Sequence, residues 1–90
     1  MIRSVWLGAV GNLQNDNTDV IVELEDGRKY TFTAFTPTNL VTQMAREKSG
    51  WFICDDLLVV RELTEENVRG AVQQIIDSHD IERFGIRATE

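Results

Sequence analysis

Cysteine, proline, histidine and basic side chains are all scarce in this 90-residue chain, and each scarcity excludes something. The one cysteine, Cys54, can close no internal disulfide and supply no cysteine-rich zinc site. Stability must therefore come from packing, which fits a reducing compartment. With one proline, no repeat and no Gly/Ser-rich stretch, nothing marks a linker, and residues 1–90 read as a single domain. Nine Lys and Arg against 15 Asp and Glu give a net charge of −6, which argues against broad contact with nucleic acid or an anionic membrane surface. No apolar run approaches the ~20 residues of a membrane span. Met1-Ile2-Arg3-Ser4-Val5-Trp6 lacks a basic leader and apolar h-region, so no secretory signal and a cytoplasmic location are expected. Phosphate loops, dinucleotide fingerprints, zinc motifs and nucleophile elbows are missing too, so neither cofactor nor metal is expected.

What is present is a folding pattern. Residues 2–10 are rich in strand formers and end at Gly11, before a polar loop from Asn12 to Asp19. Residues 19–25 and 28–35 then alternate, with Val20, Val22, Leu24 and Tyr30, Phe32, Ala34 as the apolar sets. The turn between them is fixed by parity. A two-residue loop at Asp26-Gly27 would set Val22 against Thr31 and mix the faces. A three-residue loop of Glu25, Asp26 and Gly27 sets Val22 against Tyr30 and Val20 against Phe32, and requires positive φ at Gly27. One sheet face is then apolar, and the other, with Glu23, Lys29, Thr31 and Thr33, faces water.

Thr36-Pro37 starts a first helix, with Thr36 as N-cap, Pro37 in the first turn, a narrow stripe of Leu40, Val41, Met44 and Ala45, an end near Lys48 and Gly50 as the stop. Trp51–Cys54 and Leu57–Val60 read as a second hairpin around Asp55-Asp56. Thr64 caps a second helix whose Val68, Ala71, Val72, Ile75 and Ile76 share one side, with Gly70, Gln73 and Asp77 opposite. An edge strand around Phe84 to Arg87 completes the reading. The expected fold is α+β in two layers: an antiparallel sheet of about five strands, order β-β-β-α-β-β-α, with both helices on one face.

Little in the chain suggests catalysis. His79 falls near the centre of the second helix's apolar side by angle, where it packs or caps. Cys54 is flanked by Phe52, Ile53, Asp55 and Asp56, and adjacent carboxylates disfavour a thiolate, so a Cys54–His79 enzyme is the weaker reading. Asn15, Asn17 and Asp19 have the spacing of a calcium loop, but Val20 stands where its glycine is required. Asp55-Asp56 reads as a turn. Trp6, Trp51 and Phe35 are candidate aromatic anchors, with core packing as the ordinary role.

Charge is more informative. Between Glu62 and Glu82 six acids face one base, Arg69, with Asp55 and Asp56 just upstream. Asp55, Asp56, Glu62, Glu65 and Glu66 are accordingly the candidate partner-binding residues. They would steer a basic protein.

The stretch from Tyr30 to Leu40, followed by Asp55-Asp56-Leu57-Leu58-Val59-Val60 and Leu63-Thr64-Glu65-Glu66-Asn67-Val68, resembles a group of small, mostly uncharacterised bacterial α+β proteins, some similar to immunity proteins of polymorphic-toxin systems. The likeness spans about residues 20–76. It implies stoichiometric binding to a toxin domain, with no catalytic residues to carry over. The expected function is thus a non-enzymatic, acidic protein-binding module. The alternative is a structural or regulatory homo-oligomer joined through an exposed strand edge.

Overall fold

Alternating apolar residues draw the first three strands into an antiparallel meander in the computed structural model, which describes residues 1–88. Strand β1 (Ile2–Leu7) pairs with β2 (Asn17–Leu24), and β2 pairs with β3 (Lys29–Phe35). The register sets Val22 against Tyr30 and Val20 against Phe32, as parity demands. Gly27 N–H donates to Leu24 O at 3.0 Å and Leu24 N–H to Arg28 O at 2.9 Å, while Gly27 takes φ 92°. This is the three-residue loop with its glycine in the left-handed bulge position.

The far edge of β3 is shared. Its C-terminal half, Thr33–Phe35, pairs with β4 (Leu57–Val59), and its N-terminal half, Tyr30–Thr31, pairs with β5 (Ile86–Arg87). β5 is antiparallel, but β4 is parallel, so the five-stranded sheet is mixed and mostly antiparallel. The expected Trp51–Arg61 hairpin does not form. Leu57–Val59 instead takes the open edge of β3, with Thr33 N–H donating to Asp56 O and Val60 N–H to Phe35 O. Trp51–Cys54 is left as loop, with Trp51 70% and Ile53 80% exposed.

One sheet face is closed by helix α2 (Glu65–Asp77) and the single-turn helix α3 (Ile81–Phe84). Val20, Val22, Leu24, Tyr30, Phe32 and Ala34 meet Leu58, Val60, Leu63, Val68, Val72 and Ile81 there in one core. Thr64 Oγ1 accepts from Asn67 N–H at 3.1 Å, capping α2 as expected. His79 is not on the apolar side of α2, because the helix stops at Asp77. It sits beyond the end, exposed, with φ 60°, its N–H donating to Ile76 O while Asp80 N–H donates to Ile75 O. That pair of bonds is a Schellman closure with a histidine in the position glycine favours.

Helix α1 (Pro37–Glu47) corrects the expected two-layer arrangement. It supplies no side chain to the core, and Asn39 is its buried residue. Val41, from its expected apolar stripe, is exposed. Polar contacts hold the N-terminal end instead. Thr36, fully buried, accepts from Asn39 N–H at 3.2 Å, and Asn39 Oδ1 accepts from Asn17 Nδ2 at 2.8 Å. Asn39 Nδ2 in turn donates to Asn15 Oδ1 at 3.2 Å. Gly50 is not the stop: Lys48 takes the left-handed conformation, φ 55°, and Lys48 and Ser49 N–H close on Ala45 O and Met44 O.

Candidate functional site

With α2 and α3 on one side of the sheet and α1 off its end, the other side is open. Residues of the parity opposite to the core point there, and hydrogen-bonded pairing arranges them in rows. One row runs Trp6, Ile21, Thr31, Ile86 across β1, β2, β3 and β5. A second runs Asp19, Thr33, Leu57, with Gly8 beside Asp19 through a 2.9 Å backbone bond. A third runs Ser4, Glu23, Lys29. Trp6 is 56% exposed and Ile86 and Val59 each 47%, with Ile21 and Leu57 also exposed. Only one corner is covered, where Phe52 packs edge-on against Phe35 with centroids 4.8 Å apart.

Trp6 and Trp51 are therefore not core residues, against the ordinary expectation for tryptophan, whereas Phe35 is buried. Nor is this face simply polar. Thr31, Thr33, Glu23 and Lys29 stand on it as expected, but large apolar side chains lie between them. Its charges are mixed, Asp19 and Glu23 with Arg3 and Lys29. Arg3 reaches Glu23 at 3.6 Å, and Lys29 is the cross-strand neighbour of Glu23.

The five acidic candidates fall in two groups. Asp55 and Asp56 precede β4; Glu62, Glu65 and Glu66 follow it, the last two in the first turn of α2. Asp56 is an internal fastener. Its carboxylate accepts from Thr33 Oγ1 at 3.2 Å and from the Cys54 thiol at 3.2 Å, while its carbonyl accepts from Thr33 N–H. Asp55 is exposed. Glu62 accepts from Gln14 Nε2 at 3.3 Å, and Glu65 pairs with Arg69 at 3.7 Å one helical turn on. Glu66 is exposed. β4 lies between the two groups along the chain.

The chemistry available is modest. Burial pushes the Cys54 thiol above its ordinary pKa, and the hydrogen bond to the Asp56 carboxylate adds to the shift. A thiol held protonated in this way is a poor nucleophile. Tyr30 is fully buried, its hydroxyl donating to Glu82 and accepting from Arg28 Nη1 at 3.2 Å, and burial followed by the Glu82 bond raises its pKa. This cluster ties α3 and the β2–β3 turn together. Asn15 and Asn17 are committed to Asn39, and Asp19 lies on β2, so the calcium-loop spacing is not a loop. Among the described residues no group of three or more His, Cys, Asp or Glu is placed to hold a metal ion. Shallow depressions of about 270–370 Å³ mark the surface among the described residues. None gathers an acid, a base and a nucleophile.

No protein-family model, curated protein or solved structure matches the chain. No helix among the described residues is long and apolar enough to cross a membrane. Function must therefore be argued from the surface itself.

Proposed function

We propose that this protein acts by stoichiometric binding to protein through the open face of its sheet. The observation that carries this reading is the set Trp6, Ile21, Leu57, Val59 and Ile86, all exposed on one side of one sheet. Monomeric proteins seldom leave large contiguous apolar patches in water, and such patches rimmed by polar residues mark interaction surfaces. Tryptophan also leads among residues that dominate interface energetics. The acidic groups at Asp55, Asp56, Glu62, Glu65 and Glu66 contribute at longer range, raising the encounter rate with a basic partner. Inhibition of a basic toxin domain is the sharpest form of this reading, supported by the overall charge of −6.

A pull-down from the native organism at low and high salt tests it, with Trp6→Asp beside the wild type. Partners lost with Trp6→Asp identify the face. Charge reversal at Glu65 and Glu66 should slow association and flatten its salt dependence without abolishing the complex. Partners retained equally by Trp6→Asp would refute the assignment of the face.

A further inference from the structure

We propose that the open sheet face is covered by a second copy of this chain, related by a twofold axis running parallel to the strands between β2 and β3. This rests on reading that face as a protein-binding surface. The argument is geometric. In a twofold face-to-face contact each residue meets its counterpart reflected across the axis, so the rows can be tested against themselves. Reflecting the row Trp6, Ile21, Thr31, Ile86 across the β2–β3 midline sets Trp6 on Ile86 of the second copy and Ile21 on Thr31. Reflecting the row Gly8, Asp19, Thr33, Leu57 sets Leu57 over Gly8, beside the Trp6 ring whose Cη2 lies 3.7 Å from where a Gly8 Cβ would stand, and Asp19 over Thr33. The third row sets Glu23 on Lys29 of the second copy, twice, by symmetry.

The axis at right angles to this one is poorer: it would set Asp19 over Glu23 and give up both Glu23–Lys29 contacts, whereas the parallel axis keeps them and sets Asp19 over Thr33, whose hydroxyl donates to the Asp56 carboxylate at 3.2 Å. Charge also distinguishes this face from the rest of the molecule. Two chains of charge −6 repel, and the segment from Glu62 to Glu82 holds six of the acids. Pairing through the open face turns α2 outward in both copies and brings together the side where Arg3 and Lys29 stand with Asp19 and Glu23. The 26 residues of the five strands, at ~4.8 Å between strands and ~3.4 Å along them, give a footprint of roughly 400 Å², which side-chain relief raises toward the ~600 Å² per partner of the smaller stable interfaces. The β1 edge is a poorer site for joining copies, because its pairing with β2 is irregular between Ile2 and Ser4.

Sedimentation velocity over a concentration series tests the proposal. The wild type should approach twice the 10.3 kDa chain mass. Trp6→Asp should weaken self-association on the order of 100-fold, since it acts twice in a symmetric contact. Val41→Ser, exposed on α1, should leave it unchanged. The decisive arm is a mixture. Glu23→Lys alone confronts lysine with lysine across the axis, and Lys29→Glu alone confronts glutamate with glutamate, so each should be monomeric while giving the circular dichroism of the folded wild type. Mixed together they are complementary at both contacts and should form a heterodimer. A loss of stability within one chain would not be rescued by mixing. Failure of the mixture to pair, with a dimeric wild type, overturns the twofold geometry. A wild type that stays monomeric to several hundred micromolar overturns self-pairing and leaves the face to the pull-down. A dimer unaffected by Trp6→Asp overturns self-pairing through this face and leaves the face to the pull-down.

Discussion

Replacing Asn39 by alanine should loosen α1 while leaving the sheet intact. The helix is 11 residues long and contributes nothing to the core. Isolated helices of that length are marginal in water, so α1 depends on its N-terminal attachment. Asn39 is 6% exposed and supplies two side-chain bonds of that attachment, to Asn17 at 2.8 Å and Asn15 at 3.2 Å. Each is worth about 1 kcal/mol net, and the freed groups on Asn15 and Asn17 can turn to water, so little further penalty follows. Alanine's better helix propensity returns up to ~0.7 kcal/mol. The net cost is about 1 kcal/mol, roughly a fivefold rise in the open population of α1.

Native-state hydrogen exchange resolves this residue by residue. Amides of α1 should exchange about fivefold faster in Asn39→Ala, while those of Val20–Leu24 and Tyr30–Ala34 should keep wild-type protection. Thr36→Val should act on the same helix, because Thr36 Oγ1 accepts from Asn39 N–H and a lost N-cap costs about 1 kcal/mol. The reasoning would be refuted by wild-type α1 amides that exchange only through global unfolding, for α1 would then belong to the cooperative core.

Four further outcomes can be checked singly. Gly27→Ala should cost about 1 kcal/mol, because φ 92° is strained for an L side chain, and Gly27→Asn should cost less; thermal melts will rank them. Gly85→Ala should cost about 1–3 kcal/mol, since the added carbon would lie 2.8 Å from Phe32 Cζ and 3.2 Å from Ile81 O, and a drop of some 4–8 °C per kcal/mol should be visible calorimetrically. Cys54 should react with iodoacetamide more slowly in the native protein than in denaturant, because burial and the Asp56 carboxylate hold the thiol protonated; Asp56→Asn should speed the native reaction. Tyr30 should ionise above the ordinary value of 10.0, burial being the larger cause. The fold favours its neutral form, so that contribution to stability is intact below pH 10 and is lost as pH rises through the raised pKa. A phenolate absorbance titration run beside a stability curve should show both transitions together.

Local chemistry was legible in the amino-acid sequence, and non-local pairing was not. The β2–β3 hairpin followed from parity alone, because turn length and face membership are coupled over a dozen residues. Both N-caps were legible for the same reason: Thr36 and Thr64 each act three residues along the chain. Leu57–Val59 had correct strand character, but nothing local told whether it would fold back on Trp51–Cys54 or lie beside β3. That choice was made by the open edge of β3 some 20 residues earlier. The helix ends escaped too. Lys48 and His79 adopt the left-handed conformation that glycine announces in other chains, so no residue type flagged the closures.

The candidate surface was half visible. Its polar members, Glu23, Lys29, Thr31 and Thr33, were correctly turned outward, and the same parity placed Ile21 with them. A large apolar residue on the solvent parity of an otherwise regular strand is a discrepancy between pattern and exposure, and such discrepancies are where interaction surfaces show. Trp6 carried the same signal on β1. It could be read only once Ile2, Val5 and Leu7 were known to face inward and the irregularity between Ile2 and Ser4 had reset the alternation. Ile86 sits on a two-residue strand too short to have a period at all. What joins the three is therefore not a motif but a row of the sheet, assembled from three separate segments by backbone hydrogen bonding. A surface built in that way has no contiguous signature along the chain, whereas Asp55, Asp56, Glu62, Glu65 and Glu66 lie close together in sequence, before and after β4. Proximity in the chain drew attention to the acids, and proximity in the sheet points to the tryptophan.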